Sequence, residues 1–262
     1  MIWLLERGVF DTGDEFADAA ARADHRVIQW DDDWLTNGRW PPHDGEKVAF
    51  RGSLGNAVFV HESTDWKPGS WCDAHAFHCS SWYPQVSDWL LHQAWRILPT
   101  DEFVANPDPI LAELGVKDEC FVRPDSPLKP FSGRVLARDA ISLDALDHGF
   151  YFDEADIPIV VAPVREVDRE WRFVVVDQKV VAGCAYEATS RSGTTEASTA
   201  KAKDLASSIA SSLKAPADVY VLDICESDGL LFLLELNPFG GADLYRCDAS
   251  EVIAAIAGYF TD

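Results

Sequence analysis

Two apolar runs in the last quarter of the chain each deliver a carboxylate. The first is Asp218-Val-Tyr-Val-Leu-Asp223-Ile, and the second is Leu230-Leu-Phe-Leu-Leu-Glu235-Leu-Asn237-Pro238. Side chains alternate along a strand, so Glu235 and Asn237 share one face. The intervening Glu226-Ser227-Asp228-Gly229 carries the Asp-Gly signal of a tight hairpin, which brings Asp223 alongside. Two carboxylates and a carboxamide form a hard-oxygen set suited to Mg²⁺. Burying them among Leu, Val and Phe is costly unless a cation or hydrogen-bond donors compensate. The alternative is a set of solvated side chains at a sheet edge.

Cations are supplied upstream. In Cys120-Phe-Val-Arg123-Pro124-Asp-Ser-Pro-Leu-Lys129-Pro-Phe-Ser132-Gly133 a strand ends in one cation and a proline-rich loop carries a second. Arg123 and Lys129 can neutralise phosphate oxygens, helped by the amides of Ser132 and Gly133. Taken alone, the stretch is better explained as a surface loop with two solvated cations. The segment Val160-Val161-Ala162-Pro163-Val164 then leads through Glu166 to Arg169-Glu170-Trp171-Arg172-Phe173, an apolar hinge followed by a strand on which Glu170 and Arg172 share a face.

In this order the three stretches resemble the ATP-grasp superfamily, and most closely a small bacterial and phage clade in which arginines replace part of the usual lysine set. The resemblance covers roughly residues 100–245, and its most specific part is the Glu-x-Asn-Pro element with the upstream Asp. It implies an ATP-grasp fold preceded by a Rossmann-like domain. It also implies that Arg123 and Lys129 contact ATP phosphates, and that Val161, Ala162, Pro163 and Val164 line the adenine. Glu166 stands as the candidate for the ribose. Arg172 would face the γ-phosphate or an acyl phosphate, with Lys129 and Arg172 as the catalytic cations. Asp223, Glu235 and Asn237 would hold Mg²⁺. The implied reaction is ATP-dependent carboxylate–amine ligation through an acyl phosphate, on an amino-acid-like or peptide substrate and with a homodimer as one assembly open to it. The runner-up keeps the fold as a nucleotide-binding or interaction protein without turnover. The sequence departs from the family where Arg123 replaces the first lysine. The glycine-rich lid is either shortened to Asp125–Gly133 or moved to Ser190–Thr195.

Other residues invite chemistry more weakly. Arg51 ends an apolar strand and precedes Gly52, a position that often lines a ligand crevice, so it is a candidate for a substrate carboxylate. Asp243, Tyr245 and Arg246 follow Gly240-Gly241 just beyond the carboxylate element and are candidates for the same cleft. Cys72, His75, His78 and Cys79 have zinc-ligand types, but four ligands within eight residues surround one ion poorly, and zinc modules separate their ligand pairs by a longer loop.

The elements that must position these residues read as α/β, with an α+β C-terminal part. The chain has 262 residues, 47% apolar and 25% charged, ample for a core without staples. A formal charge of −22 repels nucleic acid and anionic lipid, no Lys/Arg run offsets it, and no apolar run approaches a membrane span. The six scattered cysteines without a leader pattern suit reduced thiols in the cytoplasm. Nine of the ten tryptophans lie at or before Trp95, which suggests a division into residues 1–99 and 100–262. In the first part, strands at Ile2–Leu5, Arg26–Trp30 and Lys47–Phe50 alternate with a helix over Asp14–Ala23, capped by Thr12 or Asp14. That alternation predicts a parallel sheet. A helix is expected over Val86–Leu98. The second part should hold a helix near Pro109–Leu114, a short one at Leu143–Leu146 capped by Ser142, a helix from about Ala197 to Leu213, and antiparallel hairpins turning at Asp177-Gln178-Lys179 and Asp228-Gly229.

Overall fold

The architecture comes from a computed structural model that describes residues 1–41, 43–146, 156–186 and 196–261. Three four-stranded sheets follow one another along the chain. The first contains β1 (Ile2–Leu5), β2 (Arg26–Gln29), β3 (Val48–Arg51) and β4 (Pro68–Gly69), parallel and in the order β2-β1-β3-β4. Ile2, Trp3 and Leu4 are all buried, as a central parallel strand covered on both faces requires. Around this sheet lie α1 (Gly13–Arg22), α2 (Asp33–Asn37) and α3 (Leu54–Ser63). Helix α1 turns Phe16, Ala19 and Ala20 inward. The expected cap of α1 is not formed. Thr12 makes no side-chain cap bond, and its hydroxyl instead donates to Asp243 Oδ1 at 3.2 Å.

The expected helix over Val86–Leu98 is replaced by a 3₁₀ turn at Ser87–Trp89 and a strand, β5 (Arg96–Pro99). Val86 and Leu90 have helical spacing but are buried for another reason. Leu90 bridges to Leu233, and the Leu91 amide donates to the Leu233 carbonyl at 3.0 Å, so the segment docks on the last hairpin instead of coiling.

The second sheet, antiparallel throughout, joins β5 to β6 (Glu119–Pro124), β7 (Arg134–Ala137) and β8 (Pro158–Pro163) in the order β5-β8-β6-β7. Residues 96–99 therefore pair with the second half of the chain. Helices α4 (Cys79–Trp82), α5 (Thr100–Ala105) and α6 (Pro107–Glu113) accompany it, and the Ser142 hydroxyl accepts from the Ala145 amide at 3.1 Å in the expected short helical turn.

The third sheet contains β9 (Arg169–Val176), β10 (Lys179–Tyr186), β11 (Val219–Ser227) and β12 (Leu230–Pro238), antiparallel in the order β10-β9-β11-β12. Both hairpins turn where expected. Asp177 and Gln178 have φ of 49° and 60°, and Asp228 and Gly229 have 52° and 76°, the positive values that a two-residue primed turn demands. Helix α7 (Glu196–Ser212) covers one face, packing Ala206, Ile209 and Ala210 against Trp171, Phe173, Leu222 and Ile224. Helix α8 (Ala249–Thr261) and α1 cover the other, against Val174, Val176, Val219 and Val221. The two-residue period thus separates the faces and puts Arg172 and Asp223 on the side of α8 and the first sheet. Among the described residues no helix is long and apolar enough to cross a membrane.

Candidate active site

The third sheet brings the predicted carboxylates together. Asp223 pairs directly with Glu235 across the β11–β12 hairpin and with Arg172 across β9–β11. Arg172 holds Asp223 with a bidentate fork, Nε to Oδ1 at 2.9 Å and Nη2 to Oδ2 at 2.6 Å. Its remaining Nη1 donates to the Asp243 carbonyl at 2.6 Å, and its guanidinium lies 4.6 Å from the centre of the Tyr245 ring. Asn237 Nδ2 donates to Asp223 Oδ2 at 3.2 Å. Burial raises the Asp223 carboxyl above the usual carboxylate range, and Arg172 opposes that rise.

Glu235 meets the cations of the second sheet. Lys129 Nζ lies 2.6 Å from Oε1, and Arg123 Nη2 lies 3.2 Å from Oε2. Burial pushes this carboxyl up, but Arg123 and then Lys129 overcome it and bring it down to about 2. Arg123 sits at the end of β6 because the alternation Cys120, Val122 buries one face and leaves Phe121 and Arg123 on the other. Gly133 fits there closely: a Cβ on it would lie 3.0 Å from the Phe121 ring and 3.4 Å from Arg123 Cβ.

The result is a pair of adjacent carboxylates flanked by cations, Glu235 held by Lys129 and Arg123, and Asp223 held by Arg172. Three cations face two carboxylates, so the cluster carries one net positive charge in a protein of −22. That polarity suits a polyanion. The oxygen donors of Asp223, Glu235 and Asn237 are hard and adjacent, which fits Mg²⁺. Both carboxylates are held by the chain's own cations, and phosphate oxygens would compete for those same cations. Among the described residues no group of three or more His, Cys, Asp and Glu side chains gathers as a metal cluster.

The hinge residues divide. Val161 belongs to the core of the second sheet beside Phe103 and Leu111, so its side chain is structural. Ala162 is buried, Pro163 is partly covered and Val164 is 37% exposed at the strand's end. Glu166 lies exposed in the loop before β9. Sequence reasoning missed His92. Its ring stacks on Phe121 at 4.7 Å and 12°, and its Nδ1 lies 3.0 Å from the Pro163 carbonyl, the polar group a hinge would offer to a base. It also missed Asp125, 3% exposed, which accepts from the Ser80 amide and hydroxyl at 2.7 and 2.8 Å and pairs with His78. The run from Arg123 to Lys129 contains Asp125, and an acid flanked by Pro124 and Ser126 gives no hint of burial.

The remaining candidates separate as well. Arg51 is not a surface arginine: it is 3% exposed and donates from Nη2 to the Ala242 carbonyl at 2.6 Å. Asp243 bridges Thr12 and the Tyr245 amide, while Arg246 is exposed. Cys72, His75, His78 and Cys79 do not converge. The two thiols are buried and burial pushes them up to about 12 and 11, and His78 is engaged with Asp125. The lid alternative at Ser190–Thr195 lies outside the described residues.

A family model described as an ATP-grasp domain, family 2 of the R-2-K clade, matches residues 111–255, more than half of the chain. Among solved structures, D-cycloserine synthetase DcsG superposes with a TM-score of 0.68 at 16% identity, covering 99% of each chain. A RimK domain protein ATP-grasp from Sphaerobacter thermophilus gives 0.65 at 13% identity, covering 98% of this chain and 99% of the other. The ATP-grasp ligase PsnB complexed with minimal precursor gives 0.60 at 13% identity, covering 98% of each. At these identities the likeness is one of fold. No curated protein sequence matches significantly.

Proposed function

The chain belongs to the ATP-grasp domain family, family 2 of the R-2-K clade, and on that premise we propose that it is a Mg²⁺- and ATP-dependent carboxylate–amine ligase acting on an amino-acid or peptide substrate. The observation that carries the reading is the cluster in which Arg123, Lys129 and Arg172 flank the adjacent carboxylates of Glu235 and Asp223. A structure that needed only stability would gain little from burying these charges, because buried ion pairs roughly break even against apolar side chains. A site that must accept a phosphate chain needs preorganised cations, and one that must accept a divalent metal needs carboxylates beside them. Similar folds agree: PsnB is an ATP-grasp ligase, seen complexed with minimal precursor and, in another structure, with a precursor variant, Mg and ADP.

In this reading Arg123 and Lys129 exchange Glu235 for phosphate oxygens as nucleotide binds. Glu235, Asp223 and Asn237 are the residues that would hold Mg²⁺, and the ion would neutralise charge developing on the transferred phosphoryl group. Arg172 keeps its plane through Asp223 and presents Nη1 toward the Asp243 segment, where the substrate carboxylate would attack the γ-phosphorus, breaking its bond to the bridging oxygen and releasing ADP to give the acyl phosphate. A substrate amine then displaces phosphate and leaves an amide. Because Arg cannot give up a proton at neutral pH, Arg123 binds and orients and does not act as an acid or base. We place the first, nucleotide-free unit before β5, since Arg96–Pro99 pairs with β8.

Thermal unfolding with ATP and Mg²⁺ tests this directly. Ligand at about 100 times its dissociation constant should stabilise the native chain by about 2.7 kcal/mol. The shift should shrink in Glu235→Ala, and phosphate release should appear when carboxylates and amines are supplied together. No shift with any Mg²⁺–nucleoside triphosphate sinks the ligase reading.

A further inference from the structure

A cavity of about 270 Å³ opens at the carboxyl ends of β1, β2 and β3. In the order β2-β1-β3, chain leaves β1 toward one side through α1 and re-enters on the other at β3, so the loops diverge there and leave a crevice. Its lining combines the buried Arg51 and Phe16 and the half-buried Phe10 with the exposed acids Asp11 and Asp14. The volume is at the small end for ligand sites and suits a metabolite smaller than a drug.

Arg51 is unfinished as a structural residue. Three rings enclose its guanidinium, those of Phe16, Phe10 and Phe239 at 4.5, 4.8 and 4.9 Å, and Nη2 donates to the Ala242 carbonyl. Its Nε–H is buried and meets no acceptor. A buried donor without a partner costs about 1–3 kcal/mol, more when charged, so it is kept where something else completes it. A guanidinium offers a planar fork whose complement is a carboxylate. A plain anion is a poor candidate, because it must pass Asp11 and Asp14, both at the mouth, in a protein of −22. A zwitterion meets both charges: carboxylate on the buried arginine, ammonium beside the acids. The cavity also adjoins the charge cluster. Ala242, which Arg51 binds, precedes Asp243, whose carbonyl accepts from Arg172 and whose carboxylate accepts from Thr12 at the start of α1.

We propose that this cavity binds a small free α-amino acid, its carboxylate on Arg51 and its ammonium toward Asp11 and Asp14. This rests on the ligase reading for its purpose, as the site of the amine-bearing substrate, but not for its chemistry.

The test is calorimetric titration of the full chain with each proteinogenic α-amino acid, with and without Mg²⁺–ADP. Amino acids that bind are repeated as the α-amide, which lacks the carboxylate, and as the N-acetyl derivative, which lacks the ammonium. Binding of at least one amino acid is expected, weakened by about tenfold or more in the amide and in Arg51→Lys, since an ammonium cannot replace the fork. The N-acetyl derivative and the rim double variant Asp11→Asn, Asp14→Asn should each weaken binding several-fold, and that variant should keep the native melting temperature. If Arg51→Lys does not fold, the two derivatives and the rim variant carry the test. Absence of binding by every amino acid overturns the proposal, as does binding indifferent to carboxylate removal. Mg²⁺–ADP titrated into the same samples separates the two readings. Nucleotide binding without amino-acid binding removes the cavity proposal alone. Amino-acid binding without nucleotide binding leaves the cavity and removes the ligase.

Discussion

Arg172 on β9 and Asp223 on β11 stand directly opposite one another, and the guanidinium forks onto both carboxylate oxygens at 2.9 and 2.6 Å with both side chains buried. Asp223 is in turn the register partner of Glu235, which Arg123 and Lys129 hold from the second sheet. The Arg172–Asp223 pair lies within the third sheet, and Glu235 makes the charged link from that sheet to Arg123 on the second. Removing one member of the pair leaves the other buried without the opposite charge that faces it.

Arg172→Met should accordingly lower unfolding free energy by about 3–5 kcal/mol, and combining it with Asp223→Leu should restore much of the loss, because a buried pair replaced whole by apolar groups is close to neutral. Denaturant titration of the two single variants and the double one gives the coupling. Additive losses would show that the fork contributes little to the fold. The double variant should lack nucleotide-dependent activity even where it is stable.

Glu235→Gln should be destabilising at neutral pH and increasingly neutral in acid. The sign follows from the direction of the shift. Glu235 is held at about 2 in the folded chain against an ordinary 4.5, so its contribution is complete above about 4.5 and is lost as the pH falls toward about 2. Urea midpoints of the two proteins, compared across that range, should converge on acidification. A constant gap would mean that Lys129 and Arg123 do not stabilise the carboxylate.

The bulge that sets Asp223 opposite Glu235 gives no local signal, but the face shared by Glu235 and Asn237 and the turn that puts Asp223 on the neighbouring strand are legible in sequence, through a two-residue period and a turn signal only four residues long. The partnership of Arg172 with Asp223 is not. It depends on β11 pairing with β9 after α7 has intervened. Arg51 shows the same limit. The strand that carries it is evident, yet its burial comes from Phe239 and Ala242, nearly two hundred residues away. Val86–Leu98 fails for the opposite reason: local spacing mimics a helix while long-range docking on Leu233 decides the conformation.

Gly240→Ala should be worse than Gly241→Ala. The Gly52 amide donates to the Gly240 carbonyl at 2.8 Å, which ties the first sheet to the carboxylate element. A Cβ on Gly240 would lie 2.3 Å from the Ser70 carbonyl oxygen, a backbone atom that cannot step aside. On Gly241 the obstacle is the Leu54 side chain, also at 2.3 Å, which can rotate. Overpacking of this kind costs about 1–3 kcal/mol. Thermal melts should rank the variants in that order, and Gly240→Ala should weaken Mg²⁺–ATP binding by displacing Asn237. Equal melting temperatures would mean that the contact relaxes without cost.

His92 makes stability depend on pH over an interval that begins above the range in which an ordinary carboxylate titrates. Burial, together with Arg123 and Arg165, depresses its imidazole from 6.5 to about 4, against the favourable bond to the Pro163 carbonyl. A His that is neutral when folded and protonated when unfolded stabilises fully above about 6.5, and that contribution is lost as the pH falls toward about 4. One pH unit below the unfolded value removes about 1.4 kcal/mol. His92→Phe can keep the stack on Phe121 but has nothing to protonate. At about pH 7.5 it should be less stable by about 1 kcal/mol for the lost hydrogen bond. Between about pH 7.5 and 5.5 the native chain should weaken while the variant stays level, so their urea midpoints approach or cross. Parallel curves over that interval would mean that the imidazole is protonated in place, with water or a neighbouring acid reaching it. The hinge carbonyl of Pro163 would then lose His92 as a neutral donor.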